Sequence, residues 1–334
     1  MNLDYVLPKR LIAAHPLPRR DESRLLVLRR DGGMEHSKFN RLGDFLNSGD
    51  ALVLNETRVI PARIHGRLEN GRETEFLVIR FSGNRAVALA RGLKKLRPGA
   101  RVDFGNDLSA VYAGRNGDEA ELETSLFDEE LAGWLEKHGR VPLPPYMQRP
   151  DDDSDKERYQ TVFARKKGSC AAPTAGLHFT DKLLGDLSAG GVKIFKVCLH
   201  VGPGTFRPID DASVAGGASL SPEHAEVSEE VYRGLLEVKS KGGRVVAVGT
   251  TTTRALETAA ARGGGFSGFT DIFIRPGFKF AMVDALVTNF HLPRSSLLSL
   301  VCAFAGTDAT LKAYEAAIRE GYRFYSYGDA MLAL

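Results

Sequence analysis

The sequence predicts an α/β protein with a β-rich segment inserted into it, and three observations carry that prediction. From about Val59 to Glu123, short β-like runs follow one another, separated by turn signals such as Asn70-Gly71 and Asn116-Gly117-Asp118. Strands spaced that closely, with no helical periodicity between them, suit a small antiparallel barrel or sandwich. From Tyr159 onward, strand and helix patterns alternate, as in an α/β layout. Between the two regions lie Pro142-Leu143-Pro144-Pro145 and the acidic run Asp151-Asp152-Asp153-Ser154-Asp155, read as a boundary and a solvated loop.

Taken in order, Leu25-Leu26-Val27-Leu28 reads as a strand, and Ala51-Leu52-Val53-Leu54 follows the turn signal Gly49-Asp50 as a second. In the β-rich segment the runs are 63–68, 74–79, 86–90, 101–104, 108–112 and 120–123. A helix over about 128–137 stops at Gly139. Thr180 is placed to cap a helix through Ala189, because a hydroxyl at that position accepts from a first-turn N–H. A strand over 192–199 follows. Ser228, with Glu229 and Glu230 at the positive end, starts a helix ending near Gly242-Gly243. A strand over 244–248 feeds a Thr-rich helix start, and 270–274 reads as a further strand. The last helices are expected at about 295–305 and, capped by Thr307, at 308–319.

Composition limits the function. The chain has 334 residues, 45 Lys+Arg against 42 Asp+Glu and a net charge of +3, which excludes a histone-like or tail-driven nucleic-acid binder but not a local basic patch. The first ten residues lack a secretory apolar core, and the apolar stretch 297–305 falls far short of the roughly 20 residues of a membrane span, so a cytoplasmic location is expected. Three separated cysteines, Cys170, Cys198 and Cys302, form no CxxC pair, so neither a metal site nor a disulfide framework is expected. There is no GxxxxGK[ST], HExxH or GxSxG. Gly263-Gly264-Gly265-Phe266-Ser267-Gly268 satisfies GxGxxG but does not join a strand to a helix, and is read as a flexible loop.

What remains is a set of loops with small and polar residues at the ends of apolar strands, where α/β proteins place their chemistry. Ala171 to Phe179 contains Thr174 and Gly176 and delivers His178 beside a helix start; a tight turn with a satisfied histidine explains it equally well. Leu199-His200-Val201-Gly202-Pro203-Gly204 repeats the arrangement. Val248-Gly249-Thr250-Thr251-Thr252-Thr253-Arg254 offers hydroxyls, first-turn amides and an arginine to an anion; one threonine acting as a cap would need only one of them. Asp284 opens a strand that breaks at Asn289 and His291 before Pro293. Arg91 to Arg101, with Lys94, Lys95 and Arg97, and a second spot at Lys166 and Lys167 are basic patches; each is a solvated face unless a polyanion meets it. No heptad pattern argues for an oligomer, so a monomer is expected.

Taken together, these segments resemble the S-adenosylmethionine:tRNA ribosyltransferase-isomerase family of queuosine biosynthesis. The resemblance runs from Asp4-Tyr5-Val6-Leu7-Pro8 through Ser23-Arg24-Leu25-Leu26, Asn55-Glu56-Thr57-Arg58-Val59-Ile60-Pro61-Ala62-Arg63, Pro173-Thr174-Ala175-Gly176-Leu177-His178-Phe179, Leu199-His200-Val201-Gly202 and Thr288-Asn289-Phe290-His291-Leu292-Pro293 to Tyr327-Gly328-Asp329. The chain departs from the family where Leu220-Ser221-Pro222 precedes Glu223-His224-Ala225-Glu226 in place of the usual Met-His, and where Glu56 replaces an asparagine. The resemblance implies a large barrel-like α/β domain, residues 1–62 and 151–334, with a small antiparallel β-barrel, residues 63–150, inserted into it. It also implies transfer of the ribosyl part of S-adenosylmethionine to the aminomethyl group of a 7-deazaguanine at the tRNA wobble position. The product is epoxyqueuosine, and adenine and methionine leave. S-adenosylmethionine would be a substrate, with no separate cofactor.

That chemistry needs an acid, a base and a carboxylate anchor. The candidates are His178, His200 and His291 for proton transfer, and Glu226 and Asp284 for ribose hydroxyls or the substrate amine. Thr250, Thr251 and Arg254 are the candidate anchor, with Thr174, Gly176, Gly202 and Asn289 around the substrate. Lys94, Lys95, Arg97, Lys166 and Lys167 are the candidates for tRNA. A non-catalytic tRNA-binding module and a methyltransferase using S-adenosylmethionine stay open as rivals. Against the second, no glycine-rich strand-to-helix turn lies early in the chain.

Overall fold

The central strands read as unbroken apolar runs because both faces of their sheet are covered. The computed structural model describes residues 3–90, 92–93, 96–203 and 220–334. Outside the barrel the strands are β1 (Arg24–Leu28), β2 (Met34–Lys38), β3 (Ala51–Asn55), β4 (Thr57–Val59), β11 (Lys166–Ser169) and β12 (Lys193–Leu199). They continue with β13 (Glu223–Val227), β14 (Val245–Val248), β15 (Phe266–Thr270), β16 (Ala285–Asn289) and β17 (Ala330–Ala333). The main sheet has nine strands in the order β15-β13-β12-β3-β14-β16-β17-β1-β2. Within it β12, β3, β14 and β16 run parallel, so Asn55, Leu199, Val248 and Asn289 end at one edge. β4 and β11 form a separate parallel pair.

Alternate residues face opposite ways along a strand. Leu25, Leu52, Val246 and Val287 therefore pack on one side, with Phe39, Phe179, Leu183 and Leu187. Leu26, Val53, Ala247 and Leu286 pack on the other, with Leu256, Leu298, Val301 and Tyr314. The helices are α1 (Asp128–His138), the single turn α2 (Asp155–Arg158), α3 (Asp181–Ala189), α4 (Glu229–Ser240), α5 (Thr250–Arg262), α6 (Ser296–Ala305) and α7 (Thr307–Arg319). Thr180, Ser228 and Ser295 each accept from a first-turn N–H, as their positions predict for the first two. The cap of α7 is Gly306, not Thr307. No helix among the described residues is long and apolar enough to cross a membrane.

The β-rich stretch forms a closed antiparallel barrel of six strands: β5 (Arg63–Leu68), β6 (Glu73–Ser82), β7 (Arg85–Ala90), β8 (Arg101–Gly105), β9 (Leu108–Asn116) and β10 (Glu119–Thr124). Inward residues such as Phe76, Ala88, Val102 and Leu122 fill it, and α1 adds Leu131, Trp134 and Leu135. Two glycines are fixed by space: a β-carbon on Gly66 would meet Val102 and Phe104 at 2.6 and 2.8 Å, and one on Gly139 would meet the Pro61 carbonyl oxygen at 1.7 Å. A cleft of about 680 Å³ separates the barrel from the loops of the main sheet. It is lined by Arg63, Leu77, Leu89, Arg115, Pro144 and Glu75, with Cys170, Ala171 and Pro203 on the sheet side.

Three expectations are corrected. The Gly-rich stretch is not wholly a loop: residues 266–270 form edge strand β15, because Phe266, Gly268 and Thr270 turn toward the core while Ser267 and Phe269 turn out. The strand expected at 270–274 therefore lies earlier in the chain. The acidic run is not simply solvated either: Asp155 is fully buried, accepting from Arg149 and from the Tyr327 hydroxyl, and Asp151 accepts from the Val141 N–H.

Candidate active site

Asn55 organises the edge where the parallel strands end. Its Nδ2 donates to the Leu199 carbonyl and to Thr251 Oγ1, and its Oδ1 accepts from the Leu199 and Thr57 N–H groups. One side chain thereby ties β3, β12 and the start of α5 together. Around it stand the three histidines, in different states.

His178 closes a 3₁₀ turn, Thr174–His178, and is 4% exposed. Its Nδ1 lies 2.7 Å from Ser23 Oγ, its ring stacks on Phe39, and Asn289 Nδ2 lies 3.2 Å from its Nε2. Asn289 Nδ2 also donates to the Tyr325 carbonyl, which fixes it as the amide nitrogen, so Nε2 is an acceptor and the proton sits on Nδ1. Burial depresses its pKa to about 4. His291 is 7% exposed; its Nε2 meets Thr288 Oγ1 at 2.7 Å, and burial lowers its pKa to about 3. Both are neutral struts between loops.

His200 is half-buried, with Nδ1 at 2.7 Å from Thr57 Oγ1. Burial lowers its pKa, assisted by His224 and Lys166 and opposed by Glu226. A β-carbon on Gly168 would meet this ring at 2.9 Å, so that glycine makes room for it. His200 alone of the three combines an accessible ring with a fixed orientation.

The expected anion anchor is occupied by the protein itself. The Thr252 and Thr253 hydroxyls donate to carbonyls four residues back, Val248 and Gly249. Arg254 is buried against Glu223, with further bonds to the Ile272 and Thr270 carbonyls, so its charge is already matched. Thr250 and Thr251 face a cavity of about 30 Å³ shared with Thr174, Thr288 and His291, room for a water rather than for a ligand needing several hundred Å³. Gly176 is small because a β-carbon there would meet Thr161 at 2.8 Å, and the Gly202 N–H donates to Glu223 at 2.7 Å.

The structure does not bring Asp284 to the others. It sits at the opposite end of β16 from Asn289, roughly 16 Å away at the usual strand rise. There it accepts from Lys239 at 2.6 Å and from the Val245 N–H. Lys166 is paired with Glu226 at 2.6 Å and Lys167 with Glu136 at 3.0 Å. Arg97 is exposed, and Lys94 and Lys95 lie outside the described residues. No group of acidic, histidine and cysteine side chains that could hold a metal occurs among the described residues.

The family described as queuosine biosynthesis protein matches residues 1–333. A relative from Pelobacter propionicus, named S-adenosylmethionine:tRNA ribosyltransferase-isomerase, is 48% identical over 98% of this chain and 97% of its own. The chain belongs to this family. A second relative of the same name, from Pelotomaculum thermopropionicum, is 49% identical over the full length of both chains. The crystal structure of S-adenosylmethionine tRNA ribosyltransferase from Thermotoga maritima is 38% identical, with a TM-score of 0.58 over 99% of each chain. Against this family background, sequence reasoning missed the partners of its own candidates: Ser23 under His178, Thr57 under His200 and Glu223 on Arg254. All three lie in segments already singled out, but pairing across so many residues has no local signal. It also missed Arg115 in the cleft. Asp284→Asn is expected to leave turnover at the wild-type rate and cost about 1 kcal/mol of stability, read by denaturant titration.

Proposed function

We propose that the chain transfers and isomerises the ribosyl moiety of S-adenosylmethionine onto 7-aminomethyl-7-deazaguanine at the wobble position of tRNA, releasing adenine and methionine. The observation that carries this reading is full-length similarity, at 48–49% identity, to relatives named for that activity. The geometry agrees with it. A cleft of about 680 Å³ is large enough for a nucleoside-sized ligand, and its Cys170-Ala171 and Pro203 side is continuous in sequence with Gly168 and His200.

The sulfonium acidifies the adjacent 5′ carbon, and a base removes that proton. Adenine leaves with a proton from an acid as the sugar ring opens. The aminomethyl nitrogen adds to the 4′ carbon and gives its proton to a base, the 5′ carbon closes the carbocycle on the 1′ aldehyde left when adenine departs, and the oxygen formed there displaces methionine from the 5′ carbon to make the epoxide. We assign the proton transfers to His200, with Glu226 and Lys166 beside it. Arg63 and Arg115 in the cleft replace the Thr250–Arg254 turn as the assigned partners of the substrate's carboxylate. His178, His291, Asn289, Thr174 and Gly176 hold the loops. The barrel unit, residues 63–150, is assigned to grip the RNA with Arg97 among its contacts, and the remainder to hold the reacting groups. On this reading the reaction takes place in the cytoplasm and the chain acts as a monomer.

Product chromatography after incubating the protein with S-adenosylmethionine and precursor-bearing tRNA is the test. Adenine and methionine in equal amounts are expected. Adenosylhomocysteine would identify a methyltransferase, and unchanged S-adenosylmethionine beside bound tRNA would identify a non-catalytic binder.

A further inference from the structure

We propose that the row of rings formed by His200, His224 and Phe269 is a stacking platform for an unpaired base of the RNA substrate, next to the reacting nucleotide. The inference rests on the RNA-substrate reading above. The row is built by cross-strand register: the His200 N–H donates to the His224 carbonyl, and His224 is paired with Phe269 across β13 and β15. The His200 and His224 rings lie 6.1 Å apart at 24°, and His224 meets Phe269 edge-on at 5.5 Å. All three point away from α5, which packs against the other face of these strands.

Nothing in folding asks for this arrangement. Phe269 is 65% exposed, and among the described residues only Val6, near the chain start, is a more exposed large apolar side chain. Phe266 on the inward face already supplies the apolar contact with the core. An outward phenylalanine on an edge strand is a liability unless something covers it. One cation borders the row: Lys166 stands beside His200 at its inner end, paired with Glu226 on the same face, whereas Arg262 lies over the Phe266 ring on the opposite face. Aromatic and imidazole faces bordered by cations are the means by which single-stranded RNA loops are held without sequence readout. A protein strand adding to β15 fits less well, because Arg262 already occupies the Phe269 carbonyl on that five-residue edge.

The position matters for function. The inner end of the row is His200, so a base stacked on the exposed Phe269 ring would bring its neighbour in the strand along the row toward His200.

The probe is a fluorescently labelled stem-loop RNA carrying the substrate anticodon loop, titrated with the full chain. Phe269→Ala is expected to weaken binding roughly tenfold, within the range that loss of one stacked base produces, and to leave the KM for S-adenosylmethionine unchanged. Phe269→Trp is expected to bind as wild type or better, and His224→Ala to weaken binding independently. Thermal melting of each variant separates lost stacking from lost fold, and the tryptophan variant decides the matter if the alanine variant melts early. Wild-type RNA affinity in a folded Phe269→Ala variant would overturn the platform, as would loss of a wild-type self-association with RNA affinity intact. Neither result touches the proposed reaction, which fails instead if the wild-type chain releases no adenine.

Discussion

Replacing His200 by alanine is expected to slow adenine release by about 10²–10⁴-fold, the range that positioned acid–base groups contribute, while the protein stays folded. The contrast with the other two histidines carries the expectation. Both ring nitrogens of His178 are engaged inside the protein, with Ser23 and Asn289, so it cannot pass a proton to a ligand without breaking a buried contact; His291 is held by Thr288 through Nε2 and faces a cavity of only about 30 Å³. His200 offers an accessible ring held by Thr57. Its pKa is lowered by burial and by its cationic-side neighbours, so the neutral, proton-accepting form persists to lower pH than for an ordinary histidine. The acid limb of the kcat/KM profile should accordingly fall below the usual histidine midpoint and vanish in His200→Ala. A folded His200→Ala protein turning over within a few fold of wild type would remove His200 from the chemistry.

Much of the fold was legible because its signals are local. Each barrel strand announces itself by alternation and a Gly, Asn or Asp turn, and the six occur where those runs occur. Thr180 and Ser228 declare their helices through one hydroxyl each. What failed was whatever depends on distant partners. β2, Met34–Lys38, is almost wholly exposed and has no apolar face to read; only its pairing with β1 makes it a strand. Strand β17 spans only four residues and was not expected from the sequence, yet it lies between β16 and β1 in the sheet. The site divides the same way. His200 and Asn289 stood out in the sequence because they lie at the ends of apolar strands. Arg254 was assigned to a ligand because Glu223, thirty-one residues away, matches its charge by a fold-level contact.

Those same buried histidines carry the second large effect, on stability toward acid. His178 and His291 titrate near pH 4 and near pH 3 in the folded chain, against about 6.5 when unfolded. Above pH 6.5 neither state binds a proton at these sites, and stability does not depend on pH through them. As pH falls below 6.5 the unfolded chain takes up two protons that the folded chain refuses, so the unfolded state gains. By pH 4 the loss amounts to roughly 3 kcal/mol for each histidine, a large share of the 5–15 kcal/mol that holds most proteins folded. Cooperative unfolding is therefore expected between pH 6.5 and 4, read by circular dichroism at a series of pH values. His291→Gln, which keeps a polar group facing Thr288 and carries no titrating proton, should lower stability at pH 7.5 but flatten its decline on acidification. A slope in the variant as steep as in wild type would mean that His291 already holds its proton in the folded protein. The acid sensitivity would then belong to the buried carboxylates, and Asp50 and Asp155, whose arginine partners hold their pKa values low, would lose their ion pairs at still lower pH.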